Sequence, residues 1–117
     1  MAYIDGYIAP VPKANREAYR QMATTVAPVF KEAGALKVVE TWGDDVPKGK
    51  TTDFYMAVKC GEDENVVFSW ITWPDKATRD SGMAKAMADP RMQSSGGSEV
   101  FDGKRMIFGG FEVLLEI

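Results

Sequence analysis

The chain has 117 residues and a formal net charge of −3 at neutral pH. This length fits one domain with a single hydrophobic core, spanning residues 1–117. Lysine and arginine are scattered along the sequence, whereas binding to nucleic acid phosphates requires a concentrated basic face. We therefore expect no nucleic acid partner.

Histidine is absent from the sequence, and its absence excludes several kinds of site. Ser-His-Asp triads, Cys-His pairs and the usual zinc and non-haem iron sites all require an imidazole. No set of carboxylates has calcium-loop spacing, and no glycine-rich nucleotide-binding motif precedes a helix. We expect no metal and no cofactor, so acid–base chemistry must come from Asp, Glu, Lys, Tyr or Cys60.

The single cysteine, Cys60, cannot form a disulfide within the chain, which favours a reducing compartment. The first ten residues lack the basic segment of a signal peptide. No apolar run approaches the roughly 18 residues that a membrane-spanning helix needs. The sequence thus predicts a cytoplasmic protein with no membrane partner.

The first two elements are a strand and an amphipathic helix. Alternation over residues 3–11 indicates the strand, and apolar spacings of three and four over 14–33 indicate the helix. Asn15 is the expected helix cap, Pro28 interrupts the helical hydrogen bonds, and Gly34 ends the helix. The strand would place Tyr3, Asp5, Tyr7 and Ala9 on one face, and Ile4, Gly6 and Ile8 on the other.

Three strand-like segments follow. Residues 36–42 are rich in β-branched side chains, residues 53–60 alternate cleanly, and residues 66–73 are apolar on both faces. The connection 43–52 is predicted to be an exposed loop, and residues 61–65 an acidic hairpin loop.

A second helix is predicted over residues 75–88, with Asp75 as its cap and Pro90 as its stop. Residues 90–100 are rich in glycine and serine, and we expect them to be irregular. The last strand is predicted over residues 105–115. Because this segment is so apolar, we expect a buried, central strand of the sheet.

The order of elements predicts an α+β, ferredoxin-like fold: an antiparallel sheet with two helices on one face. Such a sheet has polar residues on its uncovered face, but residues 66–73 are apolar on both faces. A second sheet packed on the open face resolves the conflict. The sequence therefore predicts a homodimer that forms a dimeric α/β barrel.

Several long segments also carry a family resemblance, which covers nearly the whole chain. They are YIDGYIAPVPKANREAYRQMA, FKEAGALKVVETWGDDVPKGKTTDFYMAVK, VVFSWITWP, ADPRM and FDGKRMIFGGFEV. Together they resemble the YbaA-like family of small bacterial proteins, a domain of unknown function. This resemblance implies the dimeric α/β-barrel superfamily but no particular activity. The superfamily includes cofactor-free monooxygenases, muconolactone-isomerase-like enzymes and proteins without known chemistry, so the fold alone does not decide function.

The turn formed by Asp102, Gly103, Lys104 and Arg105 is the densest polar cluster. In one interpretation it is a tight turn in which Gly103 supplies a positive φ and the cations are solvated. In the other, Lys104 or Arg105 orients an anionic or carbonyl group, with Asp102 as a base or orienting residue. A strand that starts here would point Lys104 and Arg105 to opposite faces.

Asp5 lies among apolar neighbours in the first strand, and a buried carboxylate needs a partner. It either pairs with a backbone amide or an arginine, or acts as a general base in the cavity between helices and sheet. Tyr7 shares its predicted face and would donate a proton or a hydrogen bond.

Other candidates also carry two interpretations. Trp42, Phe68 and Trp70 either pack in the core or line an apolar ligand pocket between sheet and helices. Arg91 either pairs with a carboxylate or anchors an anion. The pair Gly109-Gly110 marks a bend, tight packing at the dimer, or close approach of a ligand.

Two functions fit these features. The first is a cofactor-independent enzyme or binder of a small hydrophobic or aromatic carbonyl or phenolic compound, monooxygenase-like or isomerase-like. Asp5 would be its base, and a cation from the terminal turn would stabilise enolate-like charge. The second is a non-catalytic homodimer with a structural or partner-binding role. A cavity of roughly 300 Å³ on which these polar groups converge would favour the first function.

Overall fold

A computed structural model of the chain describes residues 1–93 and 97–117. Its strands are β1 (Tyr3–Pro12), β2 (Lys37–Glu40), β3 (Glu64–Trp73) and β4 (Ile107–Glu112). Its α-helices are α1 (Arg16–Glu32), α2 (Phe54–Ala57), α3 (Lys76–Ala88), α4 (Pro90–Gln93) and α5 (Gly97–Val100). Turns of 3₁₀ helix cover Lys13–Asn15 and Gly103–Arg105.

The four strands form one antiparallel sheet in the order β2-β3-β1-β4, with β1 and β3 at its centre. Helices α1 and α3 pack on the same face of this sheet. Their contact is a buried apolar cluster that comprises Tyr3, Val29, Phe30, Ala35, Ile71, Trp73 and Ala86. The predicted ferredoxin-like fold is confirmed, since burying one face of the sheet under two helices is what defines it.

Alternation along β1 separates the two faces as predicted. Asp5 and Ala9 are buried beneath the helices, whereas Ile4 and Ile8 belong to the face that no helix covers. Side chains directly opposite each other on paired strands share a face, so Phe68, opposite Ile8, lies on the open side. The sheet therefore has one face in the protein core and a second, apolar face exposed.

Helix α1 begins and ends close to the predicted residues, but its first turn differs. Asn15 occupies the cap position without capping, because its side chain donates to the Val100 carbonyl oxygen at 2.8 Å. Pro28 lies within the helix, which continues to Glu32. Gly34 follows with a φ of +119°, a left-handed conformation that glycine adopts without strain.

The prediction of a strand over residues 53–60 is wrong. The Asp53 carboxylate accepts hydrogen bonds from the backbone amides of Met56 at 2.7 Å and Gly49 at 2.9 Å. This N-cap folds the segment into the single turn of α2, because capping satisfies backbone donors that a strand would pair elsewhere. Of the predicted hairpin loop 61–65, residues 61–63 therefore connect α2 to β3, and Glu64 and Asn65 are already part of β3.

Helix α3 follows the prediction closely. The Asp75 carboxylate accepts from the Thr78 amide at 2.7 Å, and the extended Asp89 ends the helix before Pro90. Residues 90–100 were expected to be irregular, yet residues 90–93 and 97–100 form the short helices α4 and α5. Residues 94–96 of that segment lie outside the described residues.

The expectation of a central, buried last strand is also wrong. β4 lies at the edge of the sheet, pairs only with β1 and ends at Glu112. Beyond it the Val113 amide donates to the Ala2 carbonyl oxygen, and Leu114 is 95% exposed. The central position belongs to β1, which pairs with β3 on one side and with β4 on the other.

No helix of the described residues, 1–93 and 97–117, is long and apolar enough to cross a membrane. Over the same ranges, no three cysteine or carboxylate side chains form a group able to hold a metal ion.

Gly82 lies where α3 comes closest to the core. A Cβ atom at this position would overlap the Trp73 ring and lie 2.7 Å from the carbonyl oxygen of Ala33. Trp73 is fully buried beside the helix and has no space into which to move. The glycine therefore allows helix and sheet to approach, at a cost in helix propensity.

We predict that Gly82→Ala destabilises the fold by about 1–3 kcal/mol, the usual cost of overpacking a core. This cost exceeds the gain of about 1 kcal/mol that alanine brings in an exposed helix position. Urea unfolding would measure the difference, with Ser81→Ala on the exposed side of α3 as a control. A stabilised Gly82→Ala variant would contradict the close approach.

Candidate functional site

Asp5 is buried, with only 3% of its surface exposed, and both carboxylate oxygens have protein partners. The Trp73 indole nitrogen Nε1 donates to Oδ2 at 2.9 Å. The Arg79 guanidinium donates to Oδ1 at 2.9 Å through Nη2 and reaches both oxygens through Nε. Two interpretations were open for Asp5, and pairing with an arginine is the one that the structure contains.

The same arginine explains one glycine of the pair in β4, Gly110. Arg79 lies over the Tyr3 ring, 5.1 Å from its centroid. A Cβ atom at Gly110 would overlap the Tyr3 hydroxyl and lie 2.8 Å from Arg79 Nη2. Gly110 thus accommodates two side chains of its own subunit, an approach that the sequence did not indicate. Gly109 has no such close neighbour.

We predict that Asp5→Asn destabilises the protein by about 3 kcal/mol or more, because it leaves the Arg79 guanidinium without its buried counter-charge. Asp80 offers a matched control, since its exposed carboxylate binds the same guanidinium at 2.9 Å. Asp80→Asn should have a much smaller effect on stability, because exposed ion pairs contribute little. Equal effects of the two substitutions in urea unfolding would contradict a structural role for Asp5.

The turn 102–105 is a 3₁₀ turn, and Gly103 does not have the expected positive φ. The Asp102 carboxylate accepts a hydrogen bond from the Lys104 backbone amide at 3.0 Å. The Lys104 side chain is exposed. Since β4 starts only at Ile107, the expected strand alternation does not apply to these cations.

Arg105 is not free in solvent. It forms a bidentate pair with Glu64, with both distances 2.7 Å, and also binds Asp102 and the Lys59 carbonyl oxygen. The pair lowers the pKa of the Glu64 carboxyl. These contacts attach the turn to the start of β3, away from Asp5.

Arg91 and Trp42 also lie apart from Asp5. Arg91 binds Asp89 at 2.8 Å and Glu32 at 2.9 Å, and its hydrogen bonds lower the pKa of Asp89 to about 2. Trp42 packs against a second buried apolar cluster, and the Arg16 guanidinium lies 5.4 Å from the centroid of its ring. The buried residues of that cluster are Ala9, Val11, Tyr19 and Val67.

Phe68 and Trp70 contact each other on the open face, with ring centroids 5.6 Å apart. Their face is therefore opposite to the one that Asp5 occupies, so one pocket cannot enclose all three side chains. They border a shallow hollow of about 580 Å³ whose lining is almost entirely apolar. Ile4, Ile8, Ile107, Phe108, Phe111 and Val113 complete this lining.

A second cavity of about 310 Å³ lies between α1 and the covered face of the sheet. We call it the helix-side cavity. Five aromatic residues line it, namely Tyr7, Tyr19, Phe30, Trp70 and Phe101. Methionines also line it, namely Met22, Met87, Met92 and Met106, and such flexible side chains adapt to ligands of irregular shape.

Glu40 at the end of β2 is the centre of the polar part of this cavity. The Tyr19 hydroxyl donates to Glu40 Oε1 at 2.6 Å. Burial raises the pKa of Glu40 above its usual value, while the hydroxyl groups of Tyr19 and Ser69 oppose that rise. The residue is exposed, because its strand is at the sheet edge, and it lines the cavity wall, where the Tyr19 hydroxyl contacts its carboxylate.

Tyr7 and Trp70 are the predicted site residues among those that line the helix-side cavity. Burial, and then the negative charge of Asp5, raise the pKa of Tyr7 to about 12, so its phenol is protonated at neutral pH. Within the part of the chain that the structure describes, no protein group forms a hydrogen bond with the Tyr7 hydroxyl. This hydroxyl is therefore available to a ligand.

Glu40, Tyr19, Ser69 and Arg79 were not identified from the sequence. Tyr19 and Glu40 were visible only as parts of the predicted helix and strand, 21 positions apart. Their contact depends on how α1 crosses the sheet. Tyr19 on an otherwise apolar helical stripe is the one local signal for a polar group inside the cavity.

The sequence matches a family model over residues 2–103, and the description of that family is "Protein of unknown function (DUF1428)". The chain is also 56% identical to "Uncharacterized protein YbaA" of Escherichia coli K12 over 116 residues. The alignment covers 99% of both chains.

Solved structures resemble the fold at low sequence identity. A dimeric ferredoxin-like protein from an uncultured marine organism matches with a TM-score of 0.62 and 12% identity, over 100% of both chains. SnoaB of Streptomyces nogalater, described as a cofactor-independent oxygenase, matches with a TM-score of 0.56 and 14% identity. That match covers 99% of this chain and 95% of SnoaB. Such likeness extends to the fold alone.

Proposed function

This chain belongs to the DUF1428 family, and on that premise we propose that it binds a small, largely apolar molecule in the helix-side cavity. The observation that supports this proposal is the cavity of about 310 Å³ with Glu40, Tyr19 and Tyr7 at its wall. A few polar groups in an apolar cavity are typical of small-molecule sites.

Any reaction at this site would be cofactor-independent proton transfer. Glu40, with its raised pKa, would exchange a proton, and the protonated Tyr7 would donate a hydrogen bond to the ligand. SnoaB is a cofactor-independent oxygenase on the same fold, which supports cofactor-free chemistry here by analogy. Asp5 has no role in this version of the site, since Arg79 and Trp73 occupy its oxygens.

We predict that a thermal-shift screen of small apolar compounds identifies ligands, because a ligand that binds only the folded state raises the apparent melting temperature. Ala23 lines the cavity, so Ala23→Phe should fill it and abolish the shift. The control is Ala77→Phe on α3, which lies outside the lining residues. A shift that survives Ala23→Phe unchanged would place the ligand elsewhere.

We also propose that the protein is a homodimer that pairs through its open face. The exposed apolar side chains there include Phe68, Ile107 and Phe111, and a patch of this kind favours a protein interface. The solved ferredoxin-like relative from a marine organism is described as dimeric. The exposed Leu114 and Leu115 extend the apolar surface beyond β4.

The free cysteine Cys60 supports a cytoplasmic location.

We predict a dimer in sedimentation at micromolar concentration and a monomer for Phe111→Arg, since a buried unpaired charge at an apolar interface is strongly unfavourable. Gln21→Arg adds the same charge on the exposed side of α1 and should remain dimeric. A monomeric wild-type protein would refute this proposal.

The alternative is a homodimer without a ligand. The protein partners of Asp5 and Arg105 favour it, because two of the predicted catalytic groups are fully occupied. A screen that finds no ligand, together with a stable dimer, would support this alternative.

A further inference from the structure

The charges around the helix-side cavity restrict what it accepts. Glu40 is the one carboxylate among the residues that line it, and these residues include no lysine or arginine. An anionic ligand would lose hydration and face Glu40 without a cation in return, which costs free energy. The cations of the turn 102–105 do not line the cavity, so they cannot stabilise an enolate there.

Glu40 differs in its partners from other shielded carboxylates of this protein. Asp5, Glu64 and Asp89 each accept from an arginine at 2.9 Å or less, namely Arg79, Arg105 and Arg91 respectively. Within the described ranges, 1–93 and 97–117, no lysine or arginine nitrogen lies within 4.0 Å of the Glu40 carboxylate. Among the described residues, the hydrogen-bond partners of its carboxylate are the hydroxyl groups of Tyr19 and Ser69. A cationic partner would therefore complete this site.

The rings around Glu40 suit a cation. Tyr7, Tyr19 and Phe101 line the cavity, and Tyr19 meets Phe101 edge to face at 5.8 Å. Aromatic faces attract ammonium groups, most strongly where water is excluded. The protein uses this interaction elsewhere, with Arg79 over Tyr3 and Arg16 over Trp42.

We propose that the ligand of the helix-side cavity is a hydrophobic amine, with an ammonium group at Glu40 and an apolar body among the aromatic and methionine side chains. This inference rests on the proposed small-molecule function and specifies its ligand class. The Tyr19 hydroxyl holds the carboxylate at the wall, and the unpartnered Tyr7 hydroxyl accepts one ammonium hydrogen. The cavity volume of about 310 Å³ has room for one aromatic ring with a short chain.

Three compounds of nearly equal size test the proposal: 2-phenylethylamine, 2-phenylethanol and phenylacetate. We expect calorimetry or NMR titration to show the amine binding at least about tenfold more tightly than the alcohol, with no measurable binding of the carboxylate. Glu40→Gln should lower the affinity for the amine by about tenfold or more and change the affinity for the alcohol by no more than about twofold. Glu62→Gln, which removes an exposed charge elsewhere, should leave both unchanged.

The outcomes separate the two proposals. If the alcohol or the carboxylate binds as tightly as the amine, the amine class is wrong and the ligand-binding function stands. If none of the three binds and the apolar-compound screen is also negative, both proposals fail. If Glu40→Gln does not fold, the order of the three compounds' affinities for the wild-type protein tests the proposal by itself.

Discussion

The ion pair between Asp5 and Arg79 joins the central strand to helix α3. A carboxylate buried to this degree is tolerated only with a counter-charge and hydrogen bonds, and Arg79 and Trp73 supply both. The arginine reaches Asp5 by lying over Tyr3, in space that the missing side chain of Gly110 leaves open. The buried charge of Asp5 thus determines which residue types are required at positions in three strands and one helix.

Strand β1 divides the molecule into two functional surfaces. Its odd residues face the helices and the cavity, while its even residues face the proposed interface. A shift of one residue in the register would exchange the two sets. Tyr7 borders both, since its ring stacks on Phe108 at the sheet edge, 6.1 Å between centroids, while it also lines the cavity. Tyr7 and Trp70 therefore border both the proposed dimer interface and the proposed ligand cavity.

Local patterns in the sequence predicted most of the fold, because strand alternation and helical spacing reflect burial directly. They failed where a single polar contact overrode them, as when Asp53 capped a helical turn inside an alternating segment. They also gave β4 a central position, since an apolar strand at the edge of one subunit has the same pattern as a buried one. The site was harder still. The sequence around Glu40 and Tyr19 does not indicate that they form a hydrogen bond, because this contact depends on how α1 crosses the sheet.

The order of the strands has a consequence for synthesis. β1 precedes both of its partners in the chain, β3 and β4, with Tyr3 opposite both Trp73 and Glu112. The nascent chain therefore carries β1 unpaired until β3 has been made, and with one open side until β4 follows. Pairings this distant fold slowly, and strand edges left open meanwhile are prone to aggregate.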